Sequence, residues 1–124
     1  MSSLTDHAKN LLARAVAGRS PALPTGAFLA LGTGGNDATG LSGEPVGNGY
    51  ARQRVVFTGT GVQANAEAVR FTFTAAAGTF THVGLFDAAA GGNALTWSAL
   101  GSPAAVAGPG TLTVNPGAFT LTGD

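Results

Sequence analysis

The sequence predicts an all-β fold: an antiparallel β-sandwich of jelly-roll-like type carrying one N-terminal α-helix. Three observations predict it. Apolar residues alternate with a period of two in several short runs, most cleanly at Val69, Phe71 and Phe73 against Arg70, Thr72 and Thr74. Clusters of Gly, Pro and Asn separate nearly all of these runs. A period of three to four appears once, near the amino end. Seven or so short strands at this spacing fit a sandwich or flattened barrel, so residues 1–19 are assigned to a leading helix and residues 26–124 to the β-sandwich.

The helix comes first. Leu4, Ala8, Leu11, Leu12, Ala15 and Val16 line one face, Ser3 with Asp6 has the spacing of a capping box, and Asp6 suits the positive end of the helix dipole. Arg14 falls in the last turn, Gly18 is a left-handed stop, and Pro21 forbids resumption. After a connector at residues 20–25 a buried strand is expected at 27–31. Residues 32–49 read as a long glycine-rich loop. A strand at 50–57 places Ala51, Gln53, Val55 and Phe57 on one side and Tyr50, Arg52, Arg54 and Val56 on the other. Further strands are expected at 68–74, 79–86, 94–100, 111–114 and 119–122. The alanine runs at 75–77 and 88–90 read as turns, because glycines and strands surround them. The stretch from 79 to 100 is apolar on more than one face, and a strand that hides both faces needs a layer on each side, from its own chain or from a neighbouring copy.

Composition narrows the function classes. The chain has 124 residues, 44% hydrophobic and 10% charged, with 20 glycines and six Lys plus Arg against six Asp plus Glu. Ordinary soluble domains carry about 25% charged residues. Zero net charge gives no field to draw in nucleic acid or an anionic membrane, and a weakly charged surface is poorly protected against self-association. Self-association into a homo-oligomer is therefore expected, with a low-charge monomer as the alternative. The chain has no cysteine, which excludes disulfides and thiolate metal sites. No signal peptide is read at the amino end, and no apolar run approaches the ~18 residues that span a bilayer.

Little of the sequence offers chemistry. The glycine-rich stretch after Leu31 lacks the Gly-Lys-Ser/Thr and the following helix of a phosphate cradle. Asp37 and Glu44 are the carboxylates in that loop that would suit a lone hard cation; the preferred reading is a partner-contacting loop. His82 lies inside a strand, no nucleophile elbow is present, and Glu67 with Asp87 is the one acid pair to weigh for glycoside hydrolysis. The expectation is no enzyme and no cofactor. Arg52, Arg54 and Arg70 are assigned to a polar sheet face, paired with Glu67, Asp87 or Glu44. Tyr50 and Trp97 are the candidate sugar-stacking rings, although Trp97 alternates in phase with Leu95 and Ala99, as a core residue does. Leu4, Leu11, Leu12 and Val16 are the candidate docking and oligomer stripe, exposed if the sandwich already has a full core.

Several blocks together resemble the small tail-fibre proteins of tailed phages and phage-like gene transfer agents. These are the leading helix at residues 4–12 running into a Pro-containing segment and the strand at 27–31, the Gly-Asn-Gly-Tyr-Ala-Arg-Gln block at 47–53, and Phe71-Thr-Phe73 with Thr-His-Val-Gly-Leu-Phe-Asp-Ala at 81–88. Gly-Gly-Asn-Ala-Leu at 91–95 and the closing Gly-Ala-Phe-Thr-Leu-Thr strand complete the set. The resemblance covers nearly the whole chain, apart from a shortened loop after Leu31. It implies a non-enzymatic virion component, made in the bacterial cytoplasm and built into an oligomeric appendage on head or tail. Its implied partners are further copies of itself and other capsid or tail proteins, with host-surface polysaccharide the partner of the alternative reading. A carbohydrate-binding module for host attachment is the alternative.

Overall fold

The computed structural model describes residues 3–121. In chain order its elements are β1 (Ser3–Leu4), α1 (Asp6–Val16), β2 (Ala27–Gly32), β3 (Gly34–Asn36), β4 (Gly40–Ser42), β5 (Gln53–Val55), β6 (Phe57–Thr58), β7 (Gln63–Asn65), β8 (Val69–Phe73), β9 (Gly78–Phe86), β10 (Ala94–Val106), β11 (Gly110–Val114) and β12 (Thr120–Leu121). A main sheet of order β1-β10-β9-β2-β5 forms one layer. The opposing layer is split into the pair β11-β8 and the three-stranded piece β12-β7-β6, and every strand pair is antiparallel. The all-β sandwich with one N-terminal helix is the architecture observed.

Alternation fixes which side chains meet between the layers. Val69, Phe71 and Phe73 of β8 are buried and face Leu29, Leu31, Val83 and Leu85 of the main sheet within one apolar core. Phe73 stacks on Phe80 with centroids 5.9 Å apart, and Phe57 meets Phe119 at 6.1 Å. The helix belongs to this core, since its Ala8 is part of the same cluster, beside Leu4 of β1. Its start differs from the reading of the sequence. Ser3 and Leu4 pair with Trp97 and Thr96 as an edge strand, and Thr5 is the N-cap. The Thr5 N–H donates to the Leu95 carbonyl at 3.0 Å, while its hydroxyl accepts from the Ala8 N–H at 3.2 Å and donates to the Ala94 carbonyl at 2.7 Å. Sheet pairing thus takes Ser3, expected as the cap, and Leu4, expected as the first residue of the apolar helical face. The stop is as read: Gly18 has φ 77° and the Arg19 N–H reaches back to the Arg14 carbonyl at 2.9 Å.

Three departures shape the surface. The strand expected at 50–57 is interrupted at Val56 and begins at Gln53. β10 runs through Pro103, which falls within a register shift between Ala99 and Ala104 instead of ending the strand. The glycine-rich stretch after Leu31 is not a free loop: β3 and β4 form a hairpin against the face of the main sheet that points away from β8. Leu41 lands there on bare backbone. A Cβ at Gly84 would sit 3.0 Å from the Leu41 Cβ and 2.5 Å from the Thr96 carbonyl oxygen. The main sheet is therefore covered on both faces where it is most apolar, the outer cover coming from its own chain. The alanine runs at 75–77 and 88–90 contain no helix. Thr122, the end of the last expected strand, lies outside the described residues.

Candidate functional site

A large concavity lies where α1 and the 20–25 connector meet the sandwich. It encloses about 570 Å³ and is walled by Leu11 and Leu12 of the helix, Leu23 of the connector, Val55, Phe57 and Leu121. None of its described lining residues is charged; Thr25, Gln63 and Thr96 are the polar ones. Burial of apolar surface is therefore the interaction this groove offers, at about 25 cal/mol per Å². Two of the six exposed large apolar side chains among the described residues are on its wall. Leu12 and Leu23 line it, Val16 follows Leu12 by about one turn, and Val56 and Val62 are chain neighbours of lining residues. Leu12 is 40% exposed and Val16 89%. A clustered apolar patch carries information that single exposed side chains do not.

The four residues of the expected docking stripe divide here. Leu4 is 6% and Leu11 9% exposed: Leu4 enters the core from edge strand β1, and Leu11 lies on the buried side of the helix. Their expected exposure is corrected. Leu12 and Val16 keep free faces. The sequence reading did not single out Leu23, Val55, Phe57 or Leu121 as groove residues; only folding brings the connector against β5, β6 and β12.

Two polar hubs hold the surface around the β3–β4 hairpin. In the first, the Tyr50 hydroxyl donates to Glu44 Oε2 at 2.6 Å and accepts from the Leu31 N–H at 3.2 Å. Arg52 Nε donates to Glu44 Oε2 at 2.8 Å and Nη2 to Oε1 at 2.9 Å, a bidentate pair. Arg52 Nη1 also donates to the Ala88 and Gly91 carbonyls at 3.0 and 2.8 Å, and its guanidinium lies 3.7 Å from the Phe86 ring centre. Burial pushes the Glu44 carboxyl up, but the hydrogen bonds from Arg52 and Tyr50 outweigh it and hold it below its ordinary value. Burial, and then the Glu44 acceptor, push the Tyr50 phenol well up. The second hub is Asp37. Its carboxylate accepts from Trp97 Nε1 at 2.8 Å and Lys9 Nζ at 3.1 Å, and its carbonyl from the Asp6 N–H at 2.8 Å. The Trp97 hydrogen bond, then that of Lys9, holds this carboxyl low.

These hubs place the other candidates. Tyr50 stacks on Phe71 and Phe73 with centroids 6.0 and 6.2 Å away, whereas Trp97 stacks on His82 at 6.3 Å and packs against the hairpin at Gly35. The two rings have separate sets of neighbours and form no common platform. Asp37 and Glu44 likewise serve different hubs. Asp87 accepts from the Asn93 N–H at 2.7 Å and side chain at 3.1 Å, closing the β9–β10 turn, while Glu67 stands exposed beyond β7. Arg54 lies over the Phe28 ring at 6.0 Å, and Arg70 projects from β8 in the other layer, so the three arginines do not share one face. Asn65, unremarked in the sequence, is 2% exposed; its side chain donates to the Glu67 and Asn115 carbonyls and accepts from the Phe119 N–H, each at 2.9 Å. Among the described residues no group of three or more His, Cys, Asp or Glu is placed to hold a metal, and no helix is long and apolar enough to cross a membrane.

Compared with known protein families, the chain matches the model described as "Podophage GP4 fiber I protein gp80" over residues 3–122. No curated protein matches it in sequence.

Proposed function

The chain belongs to this podophage GP4 fiber I protein family, and from that premise we propose that it is a non-catalytic, multicopy adaptor in a phage or phage-like appendage, seated on tail or head. The observation that carries the adaptor reading is the uncharged groove beside α1. A fold that has completed its core still leaves about 570 Å³ of apolar concavity, with exposed Leu12 on its wall and Val16 next to it. Such a groove receives an apolar segment of a neighbouring virion protein. The polar hubs serve the adaptor by stiffening: Glu44, Arg52 and Asp37 tie the hairpin, the 88–91 turn and the start of the helix to one frame. A rigid frame loses less entropy when it docks.

The test is a charge placed on the groove without touching the core. Leu12→Glu with Val16→Glu alters exposed positions only, so urea unfolding should change little. Incorporation into particles, quantified by mass spectrometry of purified virions, should fall at least tenfold. Wild-type copy number in the variant particles would remove the groove from the assembly. No observation on the surface favours the glycan-binding alternative, since Tyr50 and Trp97 have the partners described above.

A further inference from the structure

An unpaired strand edge invites pairing with another chain, and folded proteins blunt such edges by shortness, charge, bulges or proline. This molecule does so at nearly every edge described. β1, β6 and β12 are two residues long. β5 has three residues and carries exposed Arg54. Beyond β1, the free side of β10 is broken by the register shift that contains Gly101 and Pro103. β8 carries exposed Arg70, and the Asn48 carbonyl takes the N–H of Thr74 just past its end.

β11 has none of these devices. It is five residues, Gly110-Thr-Leu-Thr-Val114, paired without interruption to Phe73 through Val69 of β8. Among the described residues it makes no sheet pairing or backbone hydrogen bond to any other element. It has no charge, no proline and no bulge, and Thr111, Thr113 and Val114 are β-branched. In an antiparallel ladder alternate residues direct both N–H and C=O away from the paired neighbour, so the free side of β11 presents an array that matches an extended strand.

We infer that β11 is the copy-to-copy contact: the β11 strands of two chains pair antiparallel and continue sheet β8-β11 into the sheet of the next molecule. The strand is self-complementary. Centred on Leu112, antiparallel pairing sets Thr111 of each copy opposite Thr113 of the other, on the exposed side. Leu112 faces its equivalent on the half-buried side, where Leu112 and Val114 already pack on the core. The pairing rests on the reading of the chain as a multicopy component and supplies its contact.

The experiment is a charge swap at two exposed positions. Thr111→Lys with Thr113→Lys, and separately Thr111→Glu with Thr113→Glu, place like charges opposite one another across the pair. Each variant alone should sediment as a single chain at concentrations where the wild type is oligomeric, a loss of at least tenfold in association constant. An equimolar mixture should reassemble, because Lys then faces Glu; this recovery separates a broken contact from a misfolded one. Wild-type assembly in both variants would overturn the β11 contact and leave the multicopy reading standing. A wild-type chain that stays single at all concentrations would overturn both.

Discussion

Burial and hydrogen bonding pull the Glu44 carboxyl in opposite directions, and the outcome sets part of the acid stability of this protein. Desolvation raises its proton affinity; the donors on Arg52 and Tyr50 lower it by more, so the folded value lies below the ordinary 4.5. A carboxyl depressed on folding stabilises fully above its unfolded value, and that contribution is lost as pH falls through the folded value. The Arg52 side chain is 9% exposed, so removing the charge beside it leaves a nearly buried cation short of a partner. Glu44→Gln should therefore cost about 1–2 kcal/mol at pH 7 and progressively less as the pH falls through the depressed folded value. Urea midpoints measured from pH 7 to 3 should converge for wild type and variant. Parallel curves would mean that the pair does nothing on folding. Asp37 and Asp87, also held low, keep a residual acid slope in both proteins. The sequence supplied Glu44 as one of three acids for Arg52, but not the choice. That choice depends on the hairpin turning the chain back so that residues 44, 50 and 52 converge.

At the scale of elements, periodicity was legible wherever one face is buried in the sandwich. β8 shows the strict alternation written in its residues, and β2, β9 and β11 fall within a residue or so of their expected bounds. The β3–β4 hairpin and β7 were not legible, because neither has an apolar face to alternate. β7 is held through Asn65, a polar hub at the one position a hydrophobicity reading discounts. The hairpin is held by close approach of backbone to backbone, with Leu41 resting where Gly84 has no side chain. Two consequences follow for Gly84→Ala: the added methyl meets the Thr96 carbonyl oxygen at 2.5 Å, so the β9–β10 backbone must shift, and Leu41 at 3.0 Å must give by a few tenths of an ångström, loosening the hairpin. The expected loss is about 2 kcal/mol, the range of overpacking in a rigid site, with hydrogen exchange of the 34–42 amides accelerated more than that of β8. Equal acceleration everywhere would show that the hairpin is not a separate layer. The groove was half-legible for a related reason: the helical stripe is visible in sequence, but which of its leucines the sheet takes depends on how the helix lies.

For the whole molecule, the composition and the surface describe one physical problem. A net charge of zero, with 10% charged residues, provides little repulsion between copies. Among the described residues the fold nonetheless leaves an uncharged groove beside α1 and a strand, β11, paired on one side. Covering its own main sheet with the hairpin answers the need for a second cover that residues 79–100 announce, so that stretch does not require a neighbour; the contacts proposed above are the groove and β11. A folded state stabilised by association gains stability with concentration, since the partner binds the native and not the unfolded chain. The unfolding temperature of the wild type should thus rise as concentration is raised a hundredfold, by an amount set by the ~2.7 kcal/mol per hundredfold of a linked equilibrium. The Thr111→Lys with Thr113→Lys variant should show no such rise, while matching the wild type at the lowest concentration, where both are single chains. Calorimetry across that range separates the two contributions. A wild-type transition independent of concentration would place all of the stability within one copy and leave β11 without a partner of its own kind.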